Sequence, residues 1–244
     1  MTVRLTAFTC GWLNLRYAFL LEGAEGRINA PVPVYLIEHP KGRALFDTGL
    51  GQRFISEGDT PAVKGVDFQT GADIAARLKA VGVDPDSIQW IINSHLHTDH
   101  AGGNAYIPNA TVIVQAAEWD FAFEGKDQFY KPEEFDLGHR VVRIRGEHDL
   151  FGDGSVLLFP SPGHTPGHQC ARVRLAAGEI VLAADCCNLK ASLDDMRLPD
   201  HVHDREASLA TLVHLRSLRE SGARIFYGHD PDFWTGVPQG VPLT

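Results

Sequence analysis

Residues 95–100 read His95-Leu96-His97-Thr98-Asp99-His100, three imidazoles and a carboxylate in one short run. Imidazole and carboxylate, with no thiolate, suit zinc and tolerate Mn, Fe or Co. In an extended segment, side chains two apart point the same way. His95 and His97 can therefore grip one ion together, while Asp99 and His100 can turn toward a second. Three later residues complete the set: His164, Asp185 and His229. A carboxylate has two oxygens. Asp185 can thus bridge two ions, with His164 completing one site and His229 the other. The expected centre is a pair of divalent ions about 3.5–4 Å apart. Its chemistry would be hydrolysis, with a hydroxide held between the ions attacking a carbonyl carbon. One ion would polarise the carbonyl and the other receive the leaving alkoxide. Asp99 could hand that alkoxide a proton.

Every one of these groups follows an expected strand. Residues 88–93 run into the His-rich loop, and residues 156–159 reach His164 through Pro160-Ser161-Pro162-Gly163. Residues 180–184 precede Asp185, and residues 224–227 precede His229. Loops at strand ends are where a rigid sheet mounts chemistry. Further strands are expected at 3–8, 32–37, 43–46, 112–115, 141–144 and 169–175. Ile74, Leu78 and Val81 mark a helix that Gly82 stops, and a second helix is expected around 116–123. Asp204 can cap a long helix whose apolar face includes Leu209, Leu212, Leu215 and Leu218. Residues 51–70 have no clear period and read as a long loop. No linker separates the halves. Residues 1–244 are therefore expected to form one α/β domain, strands inside and helices outside.

Composition narrows the partners. The formal net charge is -9, which argues against nucleic acid or anionic lipid as a partner. No stretch approaches the ~20 apolar residues of a membrane span. The N-terminus lacks a basic start with an apolar run behind it. Cys10, Cys170, Cys186 and Cys187 form neither a zinc spacing nor a disulfide framework, so a reducing, cytoplasmic setting is expected. Cys186 and Cys187, beside Asp185, read as small buried hydrophobes.

The run Ser94-His95-Leu96-His97-Thr98-Asp99-His100-Ala101-Gly102-Gly103-Asn104 resembles the signature of the metallo-β-lactamase superfamily. Pro162-Gly163-His164-Thr165-Pro166-Gly167-His168, Ala184-Asp185 and Gly228-His229-Asp230 resemble its later motifs in the same order. Within that superfamily the chain looks most similar to the N-acyl-homoserine lactonases. The resemblance implies an αββα sandwich: two inner mixed sheets flanked by helices. It implies His95, His97 and His164 on one metal, Asp99, His100 and His229 on the other, and Asp185 shared. The activity it implies is ring opening of a lactone. In those lactonases a Tyr three residues after the shared Asp contacts the substrate carbonyl. Asn188 stands at that position here; its amide can donate a hydrogen bond, but from a shorter side chain.

Supporting roles fall to neighbours. Asp47 resembles the Asp of the superfamily's Asp-Thr-Gly motif, which supports the ligands through hydrogen bonds. His168 is read as a structural hydrogen-bonding residue, not a ligand. His201 and His203 lack an acidic partner at ligand spacing. Trp12, Leu13, Phe54 and Phe68, with Phe8 and Val66, could wall an apolar substrate pocket. The expected partner is a small lactone or ester, and the chain is expected to be a monomer or homodimer. The alternatives are an esterase or phosphotriesterase of the same superfamily, or a degenerate, non-catalytic ligand-binding member.

Overall fold

The computed structural model describes residues 3–58 and 60–244. Met1, Thr2 and Asp59 lie outside the described residues. They belong to the expected N-terminal segment and the expected 51–70 loop.

Among the described residues, twelve strands fall into two sheets. The first holds β1 (Arg4–Arg16), β2 (Arg27–His39), β3 (Gly42–Phe46), β4 (Val66–Asp67), β5 (Trp90–Ile92), β6 (Thr111–Gln115) and β7 (Val141–Ile144). Its order is β4-β1-β2-β3-β5-β6-β7. The second holds β8 (His148–Asp149), β9 (Val156–Pro160), β10 (Gln169–Leu175), β11 (Gly178–Ala184) and β12 (Arg224–Tyr227) in the order β12-β11-β10-β9-β8. Both sheets are mixed: β1, β2 and β3 pair antiparallel, β3, β5, β6 and β7 parallel, and β11 pairs β12 parallel.

Side-chain alternation along the strands builds the layers. Leu5 and Ala7 of β1, and Tyr35 and Ile37 of β2, face inward. They meet Leu158, Val173, Leu182 and Phe226 of the other sheet in one buried cluster. The intervening Phe8, Val34 and Leu36 face outward beneath Ile74 and Leu78 of α1 (Ile74–Ala80). On the second sheet, Val181, Ala183 and Ile225 face outward. They lie under Leu193 of α5 (Lys190–Asp195) and Leu212 and Leu215 of α6 (Arg205–Glu220). Helix, sheet, sheet, helix is thus the order of layers, and the expected αββα sandwich is what the chain adopts.

Four readings need correction. The Asp204 side chain does cap α6, accepting from the Ala207 backbone N–H at 3.0 Å. However, Leu209 is 37% exposed, and the buried face runs through Ser208, Thr211, Leu212 and Leu215. The apolar stripe is completed by small polar residues, as the Thr211 hydroxyl donates to the Pro162 carbonyl at 2.9 Å. The first two strands are much longer than expected, reaching Arg16 and starting at Arg27. Pro31 and Pro33 fit inside β2 because β3 pairs it only from Tyr35 to His39. On that edge a proline costs no ladder hydrogen bond. The 51–70 segment is mostly irregular but contributes β4, which pairs Val66 and Asp67 with Leu13 and Trp12. Phe8, expected as a possible pocket residue, is buried under α1 with Ile74 and Leu78.

Candidate metal centre

The His-rich loop leaves β5 through Asn93 and Ser94. His97 is the N-terminal cap residue of α2 (Thr98–Ala101), which carries Asp99 and His100. The end of this turn is fixed by the segment after β3. The Thr48 backbone N–H and hydroxyl both donate to the His100 carbonyl, at 2.8 and 3.0 Å. The Thr48 hydroxyl also lies 2.8 Å from Asn104 Oδ1. Gly103 is required here because a Cβ would meet the Thr48 carbonyl oxygen at 2.2 Å. The Asp-Thr-Gly and Gly-Gly-Asn motifs are therefore two halves of one packed support.

The later groups arrive from the second sheet. His164 sits on the β9–β10 loop, where its carbonyl accepts from the His203 backbone N–H at 3.2 Å. Asp185 follows β11 directly. Ala184 turns the chain with φ 44 and ψ -139, a conformation L residues adopt only under constraint. His229 follows β12 and is oriented by Nδ1, which donates to the Pro31 carbonyl at 2.7 Å.

All seven expected groups converge. Donor atoms of His95, His97 and His164 lie within 4.8 Å of one another, as do those of Asp99, His100 and His229. His97 Nδ1 and His164 Nε2 face each other at 3.2 Å. Asp185 stands between the groups. Its Oδ1 is 3.0 Å from His100 Nε2 and 3.1 Å from His229 Nε2, and its Oδ2 is 3.5 Å from His164 Nε2. Asp99 Oδ2 lies 3.6 Å from His100 Nε2 and 3.5 Å from His229 Nε2.

These residues fit a pair of cations. His95 Nε2, His100 Nε2 and Asp185 Oδ1 are buried without a hydrogen-bond partner. Buried polar atoms are almost always partnered, so such atoms converging on one space mark a place for cations. The charges agree. Burial pushes His100 down, yet the carboxylates of Asp185, Asp99 and Asp47 outweigh it and hold the imidazole well above its usual range. Burial likewise pushes Asp185 up, but His229 and His100 hold it well below. Positive charge is favoured at this end of the cluster. At the other end, burial keeps His95 and His164 neutral, with His164 lowered to about 4. Neutral imidazole is the form that ligates.

Outer partners orient the rings. Buried Asp47 has φ 60 and accepts from the Ser94 backbone N–H at 2.7 Å, the Ser94 hydroxyl at 2.8 Å and His100 Nδ1 at 2.8 Å. Asp127 Oδ2 accepts from His97 Nε2 at 3.2 Å, on the ring edge opposite the cluster. Burial pushes the Asp127 carboxyl up, but hydrogen bonds from His97 and the Phe129 backbone N–H hold it below the usual value. His168 Nδ1 lies 2.8 Å from the Ser161 hydroxyl. Asn188 is buried, with Oδ1 unpartnered.

Sequence reasoning missed Asp127, Glu118 and Gln169. Asp127 lies in a polar loop and carries no local signal. Glu118 is fully buried in α3 (Ala116–Ala122), and a charged residue among apolar neighbours was the signal available. Gln169 Nε2 crosses between the sheets to the Asn93 carbonyl at 2.8 Å. Of the expected pocket residues, Leu13, Phe54 and Phe68 share one buried cluster with Val66 and Leu189, the neighbour of Asn188. Trp12 points to the other face of β1 and packs on the inter-sheet core, so the structure does not bring it to the other three.

Comparison with known proteins identifies the family. An N-acyl homoserine lactonase AttM of Azorhizobium caulinodans is 34% identical over 229 residues, 87% of this chain and 86% of that protein. The N-acyl homoserine lactonase AiiA of Bacillus thuringiensis subsp. kurstaki is 34% identical over 212 residues, 83% of this chain and 82% of that one. A solved N-acyl homoserine lactone hydrolase, with the product N-hexanoyl-L-homoserine at its catalytic metal center, superposes with a TM-score of 0.87. It is 30% identical, and the match covers 98% of both chains. The sequence pattern of the metallo-beta-lactamase superfamily matches residues 28–229, and the chain belongs to that superfamily.

Proposed function

We propose that this protein is a dinuclear metal-dependent hydrolase that opens lactone rings, with N-acyl homoserine lactones the first substrate class to test. The observation that carries the reading is the convergence of seven donor residues around Asp185, in a chain whose relatives are named lactonases. His95, His97 and His164 would hold one ion, Asp99, His100 and His229 the other, and Asp185 would share its two oxygens between them. Two zinc ions, or Mn, Fe or Co, would lower the pKa of water toward neutrality and polarise a carbonyl.

The chain's own groups do the rest. Asp47 and Asp127 hold His100 and His97 by the nitrogen that faces away from the cluster. This fixes each ring's tautomer and orientation. Asp99 meets His100 and His229 only at 3.6 and 3.5 Å, and its carboxylate is the place to carry a proton to the leaving alkoxide. Asn188, three residues beyond Asp185, has an amide that can donate to the substrate carbonyl. The cluster of Leu13, Phe54, Phe68 and Leu189 supplies apolar surface next to it. Residues 1–244 would act as one domain.

The test is metal quantitation followed by a pH-stat assay on N-hexanoyl homoserine lactone, with aryl esters and phosphotriesters in parallel. About two ions per chain and acid release from the lactone are expected. A fully metallated protein that leaves every lactone intact overturns the substrate assignment. Failure to bind ions overturns the hydrolase.

A further inference from the structure

We infer that Glu118 is a positioning residue of the first candidate site, a carboxylate that fixes the His95–His97 loop against the His164 loop. This rests on the reading of those three histidines as ligands of a single ion. Glu118 is fully buried, and each of its oxygens takes two donors. Oε1 accepts from the Leu96 backbone N–H at 3.0 Å and the Tyr130 hydroxyl at 2.7 Å. Oε2 accepts from the Thr165 hydroxyl at 2.7 Å and the Gly167 backbone N–H at 3.2 Å. Leu96 stands between His95 and His97, and Thr165 follows His164.

The two loops come from different sheets. A buried carboxylate is costly unless its acceptor positions are filled. Here they are filled only when both loops stand at the separation that ligation needs. Gly167 allows the approach: a Cβ there would lie 2.0 Å from the Glu118 backbone nitrogen. Metal–ligand distances tolerate only about 0.2 Å, so a small relaxation of either loop weakens this ion. The second group is held elsewhere, with His100 on Asp47 and Thr48 and His229 on the Pro31 carbonyl. Loss of Glu118 therefore acts on one site selectively.

Glu118→Gln preserves shape but opposes an amide NH2 to one pair of donors. The Tyr130 and Thr165 hydroxyls can rotate to accept. The Leu96 and Gly167 backbone N–H groups cannot, so one of them is left facing a donor.

The experiment is a stepwise Co2+ titration of the metal-free protein against a competing chelator, followed by the visible spectrum of each bound ion, with thermal melts alongside. The unmodified protein must take up two ions; if it does not, the metal-centre reading fails before Glu118 is tested. Given two ions, Glu118→Gln is expected to weaken one of them 10–100-fold, leaving the other within about twofold. Tyr130→Phe removes one of the four donors and keeps the carboxylate. It is expected to weaken the same ion by a smaller factor, and it keeps the test decisive if Glu118→Gln does not fold. Equal weakening of both ions, or unchanged affinities in a folded Glu118→Gln or Tyr130→Phe variant, overturns the inference.

Discussion

Asp47→Asn separates orientation of a ligand from stability of the fold. Asp47 has φ 60, a conformation that Asn tolerates better than most residues, so the backbone is preserved. The carboxylate accepts three hydrogen bonds, from the Ser94 backbone N–H, the Ser94 hydroxyl and His100 Nδ1. Asn keeps one acceptor oxygen, and the fixed Ser94 N–H claims it. Its NH2 then faces His100 Nδ1. That nitrogen can accept only if the ring proton moves to Nε2, the nitrogen that points at Asp185. The substitution therefore puts a proton where an ion would need a lone pair.

Losses of such outer partners cost about 10–100-fold in metal affinity, or ~1.4–2.7 kcal/mol. The metal-free fold should respond differently. Burial is the largest influence on Asp47 and raises its pKa, so the charged carboxylate is itself expensive to bury. Removing that charge relieves its burial cost but also takes a counter-charge from His100, so the two effects oppose and metal-free stability should change by no more than about 2 kcal/mol. The assay is urea unfolding of metal-free protein beside a competitive metal titration. A variant that binds both ions like the parent, or that loses several kcal/mol without metal, refutes the tautomer argument.

Four further outcomes follow from the same geometry. Stripping metal with a chelator should lower the melting temperature. An ion present at a hundred times its Kd stabilises by ~2.7 kcal/mol. With 244 residues and an unfolding entropy near ~0.5 kcal/mol per degree, that is about 5 °C per ion by calorimetry. No shift would contradict the centre. His168 is held neutral by burial, its folded pKa well below 6.5. As pH falls through that unfolded value, the unfolded chain binds a proton that the folded chain refuses. Metal-free stability should then fall by up to ~1.4 kcal/mol per pH unit from this group. His168→Gln should flatten the slope measured by urea unfolding between about pH 6.5 and 4.5, and parallel slopes would exclude the effect. Gly167→Ala drives a Cβ to 2.0 Å from the Glu118 nitrogen, so α3 must retreat by more than an ångström. A cost of about 1–3 kcal/mol in thermal or urea unfolding is expected, and a variant as stable as the parent would mean that the contact yields freely. Asp127→Asn should weaken the His97 ion about tenfold in the competitive titration. An unchanged affinity would assign Asp127 to loop packing alone.

The candidate centre was largely legible because its groups are dense in sequence and each lies at a strand end. Three histidines and an aspartate in one loop leave few uses for them together, and the later groups follow buried strands whose apolar runs are plain. The supports were not legible, for a physical reason. Asp127 and Glu118 act through contacts with residues far along the chain, and an ordinary polar residue in a loop or short helix gives no sign of which distant N–H it meets. The length of β1 and β2 was not legible because it rests on their long-range pairing with each other, which runs from Arg4 opposite Glu38 to Arg16 opposite Arg27. Trp12 and Leu13 read alike as apolar neighbours, but alternation along β1 sends them into different clusters.

Two of the described residues outside glycine with positive φ, Asp47 and Ala184, sit against the centre, one behind His100 and one just before Asp185. Such conformations cost about 1–3 kcal/mol and persist only where surrounding structure over-determines them. Here the surroundings are visible. Asp47 is pinned by three hydrogen bonds, and the Ala184 carbonyl is approached so closely by Gly228 that a Cβ there would lie 2.4 Å away. Both constraints pull a carboxylate toward histidines instead of away from water-exposed space, so the fold spends conformational energy to concentrate negative charge where His100 and His229 point. A chain that only needed a stable sandwich would have no reason to do this; the dinuclear centre proposed above supplies one.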